Sequence, residues 1–300
     1  MNSNPGRMAI LISVTVVSLA STTWAQMETR AGKAGGWVTS LDGTMIHYLD
    51  AGRGPGGDRA DKRPTLLFIP GWTMPAWIWE KQIEHFSKTT RVVAMDPRAQ
   101  GQSTKTTEGL YPDMRARDIK VVVDQLHLAP VVLVGWSMAV SEVASYIKEF
   151  GNEDVAGIVL VDGGAGFEDS LAVAFLKFAA SIMKDRPAKT DAFVRNMYRK
   201  PQSEEYLNRV TAASLETPTA QAMALFVGAL GTDNRPALAK FARPTLLVIT
   251  KSPFDSISFD MQKRIPGARL EQFEDAGHAL FVDDADRFNT LLDGFLKGLP

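Results

Sequence analysis

The sequence predicts an α/β fold: a mostly parallel central sheet with helices on both faces and a helical cap insertion. Three observations predict it. Short β-branched apolar runs alternate with helix-length stretches from residue 65 onward, the order that crossover helices between parallel strands produce. Ahead of them, Asp42-Gly43 sits between Trp37–Ser40 and Met45–Leu49, a turn signal that opens the domain with an antiparallel hairpin. At the centre, Val131–Ser141 reads Val-Val-Leu-Val-Gly-Trp-Ser-Met-Ala-Val-Ser. There a strand turns within a few residues into a helix with a serine at the apex, a nucleophile elbow.

The N-terminus reads as an export signal. Arg7 gives a positive start, Met8–Ala20 is a continuous apolar run, and Thr23-Trp24-Ala25 presents small residues where a signal peptidase cuts. The run is short for a permanent membrane span. Residues 1–25 are therefore expected to be removed, leaving a periplasmic or secreted chain that starts near Gln26 and has no stable membrane insertion. Without cysteine there is neither a disulfide framework nor a thiolate metal site. Hydrophobic content of 45% and charged content of 22% fit a globular domain. A formal net charge of −1 gives no sign of nucleic acid or an anionic membrane surface as a partner.

From the hairpin onward, Ala51–Arg63 is a glycine-rich surface connection. Thr65–Ile69 is a buried strand that runs into Pro70-Gly71-Trp72-Thr73, followed by a helix over Trp77–Ser87. Arg91–Met95 is the next strand, ending in Asp96–Ser103, and a helix over Met114–Leu126 leads to the elbow strand. After the elbow, Val143, Tyr146, Ile147 and Phe150 give the helical repeat expected over Val140–Phe150. Ile158–Val161, Thr245–Ile249 and Leu270–Phe273 are the remaining strands, and a helix over Asp284–Leu296 closes the chain. The cap is expected at about residues 165–240, where Leu171, Phe175, Phe178 and Ile182 recur at helical spacing.

At the elbow, small residues at Gly135 and Ala139 let strand and helix backbones pass closely, and the helix start offers N–H donors and positive potential. A serine hydroxyl needs a base to act as a nucleophile near neutral pH. Of the four histidines, His47, His85 and His127 fall on predicted strands or helices. His278 alone follows the last strand, on the carboxyl edge where the elbow opens and where open α/β sheets bind ligands.

In this order and these loops the chain resembles the α/β-hydrolase superfamily, and within it the small esterase, perhydrolase and cofactor-free haloperoxidase-like group. The resemblance rests on Phe68-Ile69-Pro70-Gly71-Trp72, with Pro70 where histidine is usual, and on Asp96–Ser103, with Ala99 where glycine is commoner. It rests equally on Gly135–Ala139 and on Ala276-Gly277-His278 with Phe281 and Asp286-Arg287-Phe288. It implies a Ser-acid-His order with Ser137 as nucleophile and His278 as base. Asp255, after the strand Thr245–Ile249, is the preferred acid, and Asp162, after Ile158–Val161, is the alternative. The Met138 N–H follows from the elbow as one oxyanion donor, and the Trp72 N–H is implied as the second. Asp96 and Arg98 are read as structural.

Trp136, Met74 and Trp77, with Phe175 and Phe178 from the cap, are expected to line an apolar pocket. The expected activity is cofactor-free and metal-free hydrolysis of a small-molecule carboxylic ester with an apolar acyl or aromatic group. Perhydrolase, lactonase, amidase and carbon–carbon-bond hydrolase activities use the same triad. A non-catalytic ligand-binding protein of this fold is the rival from another class.

Overall fold

A computed structural model describes residues 1, 34–52 and 63–300. The proposed export signal therefore lies outside the described residues, as does most of the Ala51–Arg63 connection. The described chain forms one sheet of eight strands: β1 (Ala34–Thr39), β2 (Met45–Ala51), β3 (Thr65–Ile69), β4 (Val92–Met95), β5 (Val131–Trp136), β6 (Val155–Val161), β7 (Thr245–Thr250) and β8 (Arg269–Phe273). Their order is β1-β2-β4-β3-β5-β6-β7-β8. The β1–β2 and β2–β4 pairs are antiparallel, and every later pair is parallel. Strands β3 to β7 are buried on both faces almost throughout, as expected of parallel strands covered by crossover helices.

The crossovers are α1 (Glu80–Phe86, entered through a 3₁₀ turn at Ala76–Trp79), α2 (Pro112–Gln125) and α3 (Ala139–Phe150). Helix α2 starts two residues before its apolar repeat because Pro112 occupies the first turn, where its missing N–H costs nothing. Between β6 and β7 lie four α-helices, α4 (Asp169–Lys184), α5 (Arg186–Asn196), α6 (Glu204–Leu215) and α7 (Thr219–Leu230), and a 3₁₀ helix at Arg235–Lys240. After β7 come α8 (Asp255–Arg264), α9 (Leu280–Asp283) and α10 (Ala285–Lys297). Helix α8 begins at Asp255 itself.

Two cores fill the faces of the sheet. On one, Phe68, Val134, Val161 and Val248 pack with Trp79, Phe281 and Phe288, and the Trp79 and Phe281 rings stack at 3.8 Å. On the other, Leu133, Ile158 and Leu160 meet the stripe Ala139, Val140, Val143, Ala144 and Ile147 of α3. Each fully buried Val, Leu, Ile or Phe among them contributes roughly 1.5–3 kcal/mol. The helix that follows Ser137 is thus fixed to the sheet along its whole length.

An ion cluster, buried at Arg98 and Asp118 and open to solvent at Asp42, ties the hairpin to the turn after β4. The Arg98 guanidinium donates through Nε and Nη2 to the two Asp118 oxygens, each at 2.6 Å, and through Nη1 to Asp42 Oδ2 at 2.8 Å. Burial alone raises the Asp42 carboxyl, but hydrogen bonds from Arg98 and Thr44 outweigh it and hold the group at about 2. Its folded value lies below its unfolded one, so the contribution of ionised Asp42 is present above about pH 4 and is lost as pH falls toward 2. Asp42→Asn is accordingly expected to be less stable than the parent in urea titrations at pH 7, with the difference shrinking below pH 4. A pH-independent difference would contradict this linkage.

Candidate active site

The site residues stand at the carboxyl ends of neighbouring strands. Ser137 follows β5 with φ 58°, a left-handed conformation that costs a non-glycine residue about 1–3 kcal/mol. Its N–H donates to Val161 O at 2.8 Å, and its carbonyl accepts from Val140 N–H at 3.1 Å, so β6 and α3 hold it from either side. Two glycines allow the crowding around it. A Cβ on Gly163 would lie 2.2 Å from Ser137 O, and one on Gly71 would lie 2.9 Å from Ser137 Cβ. The chain after β3 and the chain after β6 both pass too close to Ser137 for any side chain.

Asp162, with φ 41°, ends β6 beside Ser137. Its Oδ1 accepts from the Thr250 N–H and from Thr250 Oγ1, both at 3.0 Å, while Oδ2 lies 2.7 Å from His278 Nδ1. On the other side of the ring, His278 Nε2 is 3.0 Å from Ser137 Oγ. A neutral imidazole that donates Nδ1–H to Asp162 presents Nε2 as the acceptor for the serine hydroxyl. The Trp136 indole N–H donates to His278 O at 2.9 Å, and Ala279 N–H donates to Met197 O at 3.0 Å, which fixes the histidine loop.

The acid preferred from sequence is therefore corrected: Asp162, not Asp255, is hydrogen-bonded to His278. Parallel register explains the placement. Val161 of β6 lies opposite Val248 of β7, which brings Asp162 to the end of β7, where its carboxylate reaches Thr250, and next to Ser137. Asp255 lies a full loop further on, at the start of α8. Its Oδ1 accepts from Ser252 N–H at 2.7 Å and its Oδ2 from Gln272 Nε2 at 2.8 Å, so both of its oxygens are used to shape that loop.

Three of the five expected pocket residues are also corrected. Trp136 is 1% exposed and packs against Trp79, Phe281 and the His278 ring, so it backs the histidine rather than facing a cavity. Met74 is sealed in the core with Phe68 and Trp79. Trp77 lies under the Arg209 guanidinium, 4.0 Å from its ring centre, and against Tyr206. All three are near Gly71 or Ser137 in sequence, but Met74 and Trp136 turn into the core and Trp77 packs half-buried against α6.

The apolar surface near the elbow is built from other residues. Trp72 packs edge-on against Phe193 and Phe226, at 5.6 and 5.1 Å between ring centres. Phe178 touches both of those phenylalanines, and Phe175 touches Phe226. Met138 borders the same cluster. The convergence of Phe193 and Phe226 on Trp72 comes from the packing of α5 and α7. Neither the Trp72 N–H nor the Met138 N–H has a hydrogen-bond acceptor among the described residues.

His47 and His85 are engaged elsewhere. His47 Nδ1 lies 2.7 Å from Asp96 Oδ2, and His85 Nε2 lies 2.7 Å from Asp293 Oδ2. Asp96 also accepts from the N–H groups of Ala76 and Gln102, so it knits the turn after β4 to the start of the α1 segment.

A sheet of this order, with a serine elbow, an acid after β6 and a histidine after β8, defines the α/β-hydrolase class. A model of the alpha/beta hydrolase family matches residues 66–291, and the chain belongs to that family. Over 273 residues it is 29% identical to a Synechocystis protein named "Putative non-heme chloroperoxidase", covering 84% of this chain and 95% of that one. It is 36% identical over 127 residues to the bifunctional esterase/perhydrolase DCH of Acinetobacter calcoaceticus, covering 42% and 44% of the two chains. The esterase EaEST from Exiguobacterium antarcticum has the same fold, with a TM-score of 0.80 at 24% identity over 88% of this chain and 100% of that one.

The hydrogen bond between Asp162 and His278 has a direct signature. A low-field proton resonance from His278 Nδ1–H is expected in the parent protein and in Asp255→Asn, and is expected to vanish in Asp162→Asn and His278→Ala. Survival of the signal in Asp162→Asn would contradict the assignment.

Proposed function

We propose that this protein hydrolyses carboxylic esters carrying an apolar acyl or aromatic group, through a Ser137–His278–Asp162 triad. The observation that carries this reading is the continuous line of contacts from Asp162 Oδ2 through the His278 ring to Ser137 Oγ, 2.7 and 3.0 Å long. Beside it stand the Trp72 and Met138 amides, which have no acceptor among the described residues. In this mechanism Ser137 Oγ bonds to the ester carbonyl carbon while His278 Nε2 takes the hydroxyl proton. Asp162 stabilises the resulting imidazolium. The carbonyl oxygen becomes an oxyanion that the N–H groups of Met138 and Trp72 stabilise by donating to it.

Collapse of the tetrahedral species breaks the bond to the alcohol, which leaves with the proton from His278. Water then attacks the acyl-enzyme, giving its proton to His278, and the serine leaves with that proton, freeing the acid. The aromatic surface formed by Trp72, Phe178, Phe193 and Phe226 supports an apolar acyl or aryl group over a charged one. Likeness to an esterase/perhydrolase supports a second outcome at the same acyl-enzyme. Hydrogen peroxide in place of water would give the peracid and the free serine. The sequence pattern over residues 7–25 supports an exported enzyme, which recovery of a chain beginning near Gln26 from the periplasm or medium would test.

Turnover of p-nitrophenyl esters from acetate to octanoate tests the reading. Ser137→Ala is expected to abolish it, and Asp162→Asn to lower kcat by about ten-thousandfold. Asp255→Asn is expected to stay within about threefold of the parent, since it removes no contact to the histidine. A folded parent inactive on every ester, or turnover retained by Ser137→Ala, would overturn the proposal.

A further inference from the structure

Gly71–Met74 is a tight turn lying against Ser137. The Met74 N–H donates to Gly71 O at 3.2 Å, and Thr73, its third residue, has φ 59°. A β-branched residue rarely adopts that conformation and keeps it only where its surroundings over-determine it. One side chain spans the turn from the core side: Gln100 Nε2 donates to Gly71 O and to Met74 O, each at 2.9 Å. Gln100 is completely buried, and its own carbonyl accepts from Arg115 Nη1 at 3.2 Å. Arg115 Nε in turn lies 3.0 Å from Glu142 Oε1 on α3, close enough for a charge pair though not aligned as a hydrogen bond. A buried polar chain therefore runs from the helix behind the elbow to the turn in front of it.

Peptide planarity gives this chain a consequence for catalysis. The Gly71 carbonyl and the Trp72 N–H belong to one trans peptide and point in opposite directions. Pinning Gly71 O on Gln100 thus fixes the direction of the Trp72 N–H. The turn has little room beside Ser137, since a Cβ on Gly71 would lie 2.9 Å from Ser137 Cβ. We propose that Gln100 is a positioning residue that aims the Trp72 N–H at the developing oxyanion, and that Arg115 and Glu142 hold Gln100 in place from the elbow helix. The inference rests on Trp72 N–H being an oxyanion donor in the ester-hydrolase reading.

Gln100→Met keeps the volume and removes both N–H donors. Steady-state kinetics on p-nitrophenyl butyrate are measured together with inhibition by an alkyl trifluoromethyl ketone. That ketone bonds Ser137 Oγ to its carbonyl carbon, passes the hydroxyl proton to His278 and leaves the negative charge on its oxygen, so its affinity reports the oxyanion site directly. Because a lost oxyanion donor costs about a hundredfold to a thousandfold and a misaimed one less, kcat is expected to fall about tenfold to a hundredfold. KM is expected to change by less than about threefold, with ketone affinity falling in parallel with kcat.

A merely structural role would lower the melting temperature but leave kcat and ketone affinity per folded molecule at parent values, and that result overturns the proposal. Should Gln100→Met fail to fold, Gln100→Asn, which keeps an amide too short to bridge both carbonyls, is expected to show the same parallel loss. Parent-like values in that variant overturn the proposal equally. The two readings separate cleanly. Persistent turnover in Ser137→Ala defeats the serine-hydrolase reading, whereas a dead Ser137→Ala beside a fully active Gln100 variant defeats only the positioning role.

Discussion

The hydrogen bonds joining Asp162, His278 and Ser137 are the constraint on which the rest of the arrangement depends. They connect residues at the ends of β6, β8 and β5, so the three strands must keep fixed register for the distances of 2.7 and 3.0 Å to hold. Strands β5 and β6 keep register because both are buried between the sheet's two apolar cores, and the edge strand β8 is held by its parallel pairing with β7 and by buried Phe273. Thr250, from β7 between β6 and β8, holds Asp162 Oδ1 through its N–H and reaches both carboxylate oxygens with its hydroxyl, which sets the carboxylate so that Oδ2 faces the histidine. Asp162 is thus oriented by one neighbour and used by another.

The carboxyl edge of the sheet is also where the backbone is strained. Thr73, Ala99, Ser137 and Asp162 all have positive φ there. At about 1–3 kcal/mol each, four such positions together approach the whole net stability of an ordinary domain, about 5–15 kcal/mol. They persist because buried partners determine each one. Thr73 is gripped from the insertion by Ser214, Oγ1 to Oγ at 2.7 Å. Its neighbour Trp72 donates Nε1–H to Ala222 O at 2.7 Å. The insertion therefore does more than cover the elbow: α6 and α7 hold the same turn that Gln100 holds from below.

Much of this was legible in the sequence, for reasons that differ by residue. The sheet, its opening hairpin, Ser137 and His278 follow from local patterns, because an elbow and a loop after the last strand are written in consecutive residues. The partner of His278 is not a local property. Asp162 and Asp255 each follow a strand, and only the pairing of Val161 with Val248 decides which aspartate reaches the imidazole. Trp136 misled in a similar way. It precedes the serine in sequence, but its ring turns back beneath His278. Gln100 carried no sequence signal as a clamp, since its role depends on a side chain crossing from one loop to another.

The central claim is that Ser137 is activated by His278 in this setting. Treating the folded protein with a fluorophosphonate and mapping the modified peptide tests it most directly. A single adduct on Ser137, absent from His278→Ala, is the predicted result. No adduct, or an adduct on another serine with Ser137 untouched, would contradict it.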